Sequence, residues 1–225
     1  MLSYDESDGL SFTIWSKYEN NNKDSPNLNN ETMYLFFDTE TTGLPNNWNA
    51  PTSDTRNWPR MVQIAFLLYH ENGTLLETES YIIRPEGFTI PIEASEIHGI
   101  TTERALREGS TLSEVLTSFH NMSERATALV AHNIEFDEKI LGCEFIRVTG
   151  RDPLVSKTKF CTMKHPSIIN HCALPPIRYG SYKWPKLSEL HYTLFSSHFD
   201  EAHNAVADIQ ATARCFFELR RRRII

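Results

Sequence analysis

The sequence predicts an α/β domain, a mixed β-sheet with helices on its faces. Two observations carry that reading. The β-rich runs "RMVQIAFLLYH" (60–70) and "LLETESYII" (75–83) flank Asn72-Gly73, a strong turn signal, so they pair antiparallel. Downstream, short strand-like runs alternate with helical spacings, the pattern of β-α-β units.

The elements follow in order. Residues 1–31 differ from the rest: an apolar patch, "LSFTIWSKY", precedes the Asn-rich "NNNKDSPNLNNE" (20–31), so this part reads as an extension and linker ahead of a folded domain over 32–225. "MYLFF" (33–37) is a short buried strand, and the hairpin follows it. In "STLSEVLTSF", Leu112, Val115, Leu116 and Phe119 recur at helical spacing, and Thr111 with Glu114 fits a capping box. "ATALVA" (126–131) is a strand. From Asn133, a natural N-cap, a helix carries Ile134, Leu141, Phe145 and Val148. "KFCTM" (159–163) is a further strand, and a last helix runs through Ala205, Val206, Ile209, Ala213 and Phe216.

Composition narrows the class. At 225 residues the chain can bury a proper core. Its net charge of −7 argues against a protein that grips nucleic acid through bulk positive charge, but not against one that meets phosphates through metal ions. No apolar run is long enough to span a bilayer, and the acidic start "SYDESDG" is unlike an export signal. The four cysteines lack CxxC spacing and read as free thiols. The expectation is an intracellular protein, cytoplasmic or nuclear, with no membrane partner.

Asp38 and Glu40 end the first strand. Residues i and i+2 share a face, so two carboxylates project side by side, an arrangement that suits an oxygen-preferring cation such as Mg²⁺ or Mn²⁺. An acidic strand end exposed to water is the plainer alternative. Two further acids lie where α/β folds keep their sites: Asp137 where "AHNIEFDEKIL" turns from strand to helix, and Asp208 in "EAHNAVADIQAT". His203 stands five residues before Asp208, about 140° around a helix. It therefore belongs on the connection before that helix, free to reach over a site.

At these residues the sequence resembles the DnaQ-like 3′–5′ exonucleases of the DEDDh class. D-x-E-T-T-G-L stands at 38–44, H-N-x-x-F-D at 132–137 and H-x-x-x-x-D at 203–208, with "EIHGIT" (96–101) and "KWPKLSELH" between them. The resemblance spans about 33–220. It implies a ribonuclease H-like mixed five-stranded sheet flanked by helices, making 32–225 the exonuclease domain. It also implies a two-metal hydrolase in which Asp38, Glu40, Asp137 and Asp208 hold two divalent cations, Mg²⁺ or Mn²⁺, and His203 is the general base. The backbone of Thr41 matches the position that meets the terminal 3′ hydroxyl; Leu44 and Phe136 match apolar positions flanking the last base. The implied partner is a single-stranded or frayed 3′ end of DNA or RNA, shortened to nucleoside 5′-monophosphates, with a polymerase or other nucleic-acid enzyme as a further associate.

Other residues carry weaker signals. His98 either approaches substrate or structures its own turn; His132 organises the strand-to-helix turn. Arg220–Arg223 read equally as a solvated helix end or a phosphate-binding tail. The insertion 45–60, with Trp48 and Trp58, suits a lid or substrate-channel loop whose indoles stack on bases or pack the loop down. Asp54, Asp152 and Glu135 read as surface charges. DNA proofreading or repair is slightly favoured over RNA trimming, and a non-catalytic module of a polymerase assembly is the alternative from another class.

Overall fold

β1 (Met33–Thr41) is the centre of the molecule, and its composition explains why. Leu35 and Phe37 point to one face while Tyr34 and Phe36 point to the other, so a near-continuous apolar run is what a strand covered on both faces needs. β2 (Met61–His70) and β3 (Leu75–Ile82) form the expected hairpin, in which Gly73 supplies the positive φ of 89° that closes the turn. β4 (Ala128–Ala131) and β5 (Lys159–Cys161) add to the other side of β1, both parallel. The sheet order is β3-β2-β1-β4-β5, antiparallel through the hairpin and parallel beyond it, the mixed sheet the sequence predicts. β3, at the edge, alternates exposed and half-buried residues and carries Glu77 and Glu79, which discourages further strand pairing. The computed structural model describes residues 31–176, 182–198 and 205–225, all within the compact unit Thr32–Ile225 except Glu31.

Seven helices are seen among the described residues: α1 (Ile92–His98), α2 (Thr102–Glu108), α3 (Leu112–Arg125), α4 (Ile134–Thr149), α5 (Pro166–Cys172), α6 (Leu187–Phe195) and α7 (Ala205–Arg221). On one face of the sheet, α3 and α4 close the larger core, where Phe37, Phe66 and Phe119 meet edge to face. On the other face α7 packs Ile209, Ala213 and Phe216 against Phe36 and Val130. Removing one such buried ring costs roughly 3–5 kcal/mol, so these two layers set the position of everything at the sheet edge. The capping box of α3 forms as expected, with Thr111 Oγ1 accepting from Glu114 N at 3.4 Å and Glu114 Oε2 accepting from Thr111 N at 3.2 Å.

Some expectations need amending. Asn133 occupies the N-cap position of α4, but its side chain makes no capping bond; its backbone is left-handed, φ 68°, turning the chain sharply from β4 into the helix. Val148 is exposed and takes no part in the core. Helices α1, α2, α5 and α6 have no counterpart in the sequence reading. They are short, and three of them have seven residues, too few for a hydrophobic period to repeat. No helix among the described residues is long and apolar enough to cross a membrane.

Candidate active site

The strand that gives the core its centre also delivers the acids. β1 runs on past its apolar stretch, so Asp38 and Glu40 remain in the ladder opposite Ala65 and Gln63, and the register slips only after Glu40. The parallel pairing with β4 stops at Phe36 and Val130. Beyond that point the strands diverge, and the acids line the opening at the carboxyl edge, where such sheets hold their ligands. By the alternation of the strand, Asp38 and Glu40 share the Phe36 side, toward α7 and its Asp208; Thr39 points to the α4 side.

Thr39 explains how α4 contributes. Its backbone N–H donates to Asp137 Oδ1 at 3.1 Å, and its hydroxyl donates to the same oxygen at 2.7 Å. Asp137, 3% exposed on the first turn of α4, is thereby tied to the residue between the two strand acids. The sequence reading passed over Thr39, although a Thr between two same-face acids must face the helix that carries the third.

The electrostatics show that these carboxylates sense one another. Burial, and then the charges of Asp137, Glu40 and Asp208, hold the Asp38 carboxyl well above the usual range, even though part of its surface stays accessible. Burial with Asp208 and Asp137 lifts Glu40 to about 7. Burial lifts Asp137 to about 7 against the two Thr39 bonds, which pull it down. Mutually repelling acids in a partly buried site are a donor set suited to hard divalent cations, with oxygen as the only ligand atom. Among the described residues no three His, Cys, Asp or Glu side chains are gathered into a group able to hold an ion as they stand. The fit therefore rests on the chemistry and charge of the donor set.

The remaining site candidates divide into three groups. Thr41, Leu44 and Phe136 all border this edge. Thr41 Oγ1 donates to Gly43 O at 2.7 Å, fixing the turn that leaves Leu44 72% exposed, and Phe136 is half-buried beside Asp137. His132 is structural: its ring nitrogens lie 2.9 Å from Thr162 Oγ1 and 3.1 Å from Pro185 O, and burial lowers it to about 4, so it stays neutral. His98 accepts from Ile100 N at 3.2 Å within its own turn, and its ring also meets the backbone of Thr41 at the site edge, so both readings of it keep support. His203 lies outside the described residues.

The insertion 45–60 is built onto α4. Trp58 is 3% exposed and its Nε1–H donates to Pro51 O at 3.2 Å. Asn47 and Asn57 bond one another twice, Asn47 N to Asn57 Oδ1 and Asn57 Nδ2 to Asn47 O. From α4, Cys143 donates to Thr52 O and Arg147 to the carbonyls of Thr55 and Trp58. Trp58 thus packs the loop down, while Trp48 stays 48% exposed. Glu135 is not a lone surface charge, since it pairs with both Lys139 and Lys164. Of the terminal arginines, Arg221 and Arg222 are engaged by Glu218, and Arg220 lies over the ring of Tyr34.

Comparison with known proteins supplies the rest. The chain is 29% identical over 192 residues to a PolC-type DNA polymerase III of Lactococcus lactis, covering 83% of this chain and 10% of that protein. It is 28% identical over 190 residues to its Streptococcus thermophilus counterpart, covering 11% of it. The chain therefore spans about a tenth of these relatives. Exonuclease I from Methylocaldum szegediense superposes with a TM-score of 0.65 at 22% identity, over 85% of this chain and 41% of that one. Escherichia coli exonuclease I in complex with a dT13 oligonucleotide gives 0.67 at 19%, over 85% and 42%. These likenesses show the ribonuclease H-like fold. The RNase T exonuclease family model matches residues 35–216, from the core of β1 to the middle of α7, so the chain belongs to the DnaQ-like exonuclease family.

Proposed function

We propose that residues 32–225 form a metal-dependent 3′–5′ exonuclease domain that hydrolyses phosphodiester bonds at a 3′ end and releases nucleoside 5′-monophosphates. One observation carries the reading: at a single sheet edge, burial and the charges of Asp137 and Asp208, on helices packed against opposite faces of the sheet, raise both strand acids, Asp38 and Glu40.

Asp38, Glu40, Asp137 and Asp208 would hold two divalent cations, Mg²⁺ or Mn²⁺. When bound, the cations supply Lewis acidity at the attacking and departing oxygens of an in-line displacement. Thr39 keeps Asp137 oriented through two bonds to one oxygen. His203 takes the proton of the attacking water, the role an imidazole suits as a base around neutral pH. Thr41 presents backbone to the terminal 3′ hydroxyl, and exposed Leu44 with Phe136 flanks the last base. DNA is the favoured substrate, in keeping with the polymerase relatives.

The test is a 5′-labelled single strand, as DNA and as RNA, incubated with Mg²⁺, Mn²⁺ or EDTA. A ladder shortening from the 3′ end, metal-dependent and absent in Asp38→Ala, is expected, faster on DNA. Shortening that persists in EDTA or in the variant would overturn the mechanism. No shortening of either strand would favour a binding module.

A further inference from the structure

Two exposed indoles flank the start of α4, and one chain of contacts joins them. Trp48, on the insertion, lies with its ring centroid 5.7 Å from that of Phe136, tilted by 42°. Its carbonyl accepts from Lys139 Nζ at 3.1 Å. Lys139 in turn pairs with Glu135 at 3.7 Å, and Glu135 pairs with Lys164 at 2.5 Å. The Lys164 ammonium sits 4.8 Å from the ring centroid of Trp184, which is 52% exposed. Asp137 lies one residue beyond Phe136, so this row of aromatic faces and ammonium groups begins at the candidate active site.

Each indole rests on one neighbour, Trp48 on Phe136 and Trp184 on Lys164, and keeps about half its surface in water. Trp58, the other tryptophan of the insertion, is buried and anchors the loop; Trp48 has about half its surface in water on a loop that is held firmly without it. A large aromatic kept exposed by a fixed loop, beside a lysine, is what sequence-tolerant base stacking needs, because every base has a π-face and each phosphate meets a cation. Both lysines pair with Glu135 and Lys139 also lies 5.0 Å from the buried Trp58 ring centroid, so Lys164 is the more open cation of the row and the indoles carry most of the grip.

We propose that Trp48 and Trp184, with Lys139 and Lys164 between them, form a track for single-stranded nucleic acid that stacks nucleotides upstream of the 3′-terminal one. The inference rests on the exonuclease reading and extends it from the reacting nucleotide to the strand behind it. Its consequence is a preference for unpaired 3′ tails several nucleotides long, because paired bases cannot offer their faces to an indole.

The test measures fluorescence anisotropy of a 5′-labelled dT13 oligonucleotide with the full chain in EDTA, for wild type, Trp48→Ala, Trp184→Ala, the double variant and Trp48→Phe. The same series is run on an oligonucleotide abasic at the three positions preceding the terminal one. Each alanine is expected to weaken dT13 binding by about fivefold or more, with a larger loss in the double variant and most affinity kept by Trp48→Phe. The abasic strand should bind wild type and variants alike. Wild-type affinity for dT13 in the double variant would overturn the proposal, as would an equal loss on the abasic strand, which marks a structural or purely electrostatic role. Failure of the wild type to bind or shorten any strand would instead remove the exonuclease reading beneath it.

Discussion

α4 carries two buried acids, Asp137 on its first turn and Glu144 two turns further on, and their surroundings treat them in opposite ways. Glu144 is fully buried, yet its Oε1 accepts from Arg60 Nε and Met61 N at 2.9 Å each and lies 2.9 Å from Arg147 Nη1. The chain supplies every cation that carboxylate needs, and the result ties α4 to β2 and the insertion. Asp137 instead lies among acids: burial first, and then its charge with that of Asp208, makes the charges of Asp38 and Glu40 harder to hold. An acid meant to fix a scaffold is neutralised from within. Acids left beside one another unneutralised carry a repulsion that a bound cation would relieve.

The comparison breaks most sharply by substitution. Asp38→Asn should reduce 3′-end shortening by about 10³-fold or more, since several kcal/mol of transition-state stabilisation is lost with the cations, while the metal-free chain melts no lower than wild type. Glu144→Gln should do the reverse. It removes the counter-charge of two arginines that are 26% and 17% exposed, and their exposure with the remaining bonds of Arg147 trims the usual penalty to about 2–4 kcal/mol, read as a lower midpoint in thermal melts with turnover largely kept. If Asp38→Asn destabilises and Glu144→Gln does not, the assignment of roles is inverted.

pH sharpens the same contrast. Burial above all pushes Glu40 and Asp137 up to about 7 in the folded chain, against about 4 when unfolded. The folded state then binds more protons between those values, so their contribution to stability in EDTA rises as pH falls from about 7 to about 4. His132 acts with the opposite sign. Burial lowers it to about 4 when folded, below the unfolded value of about 6.5, so its contribution is lost as pH falls through that window. Melting curves of Glu40→Gln should show less of the acid-side gain than wild type; an unchanged pH profile would remove Glu40 from the coupled set.

A smaller effect is expected at Thr39. Thr39→Val deletes the 2.7 Å hydroxyl bond and keeps the backbone one, so activity should drop about tenfold while the Asp137 pKa moves further up. An acidic shift in the pH–rate profile would contradict this. At the small end, Glu108→Ala, which removes an exposed pair with Arg104, should leave the melting midpoint in place.

The sheet and the strand-end acids were legible because each carries a local signal: Asn72-Gly73 for the hairpin, an unbroken apolar run for a strand covered twice, two acids at strand spacing. What escaped was anything defined by a distant partner. Glu144 looks like one more charge in α4 until Arg60, 84 residues earlier, is brought against it. Thr39 is 98 residues from Asp137, and only the crossing of β1 by α4 gives it a purpose. Glu135 reads as a surface charge until the fold sets Lys164 beside it. The short helices were hidden for a different reason, because their stability comes from packing on the sheet and on α7 more than from any pattern of their own.

The most direct measurement is calorimetric titration of Mn²⁺ into the metal-free chain near neutral pH, repeated in two buffers of different ionisation heat and with Asp38→Asn. Saturable binding that releases protons, lost or sharply weakened in the variant, is the predicted result, because a cation must displace the protons that burial and neighbouring charge retain on these acids. Absence of binding to wild type, or equal binding to Asp38→Asn, would contradict the assignment of the four carboxylates as the metal site.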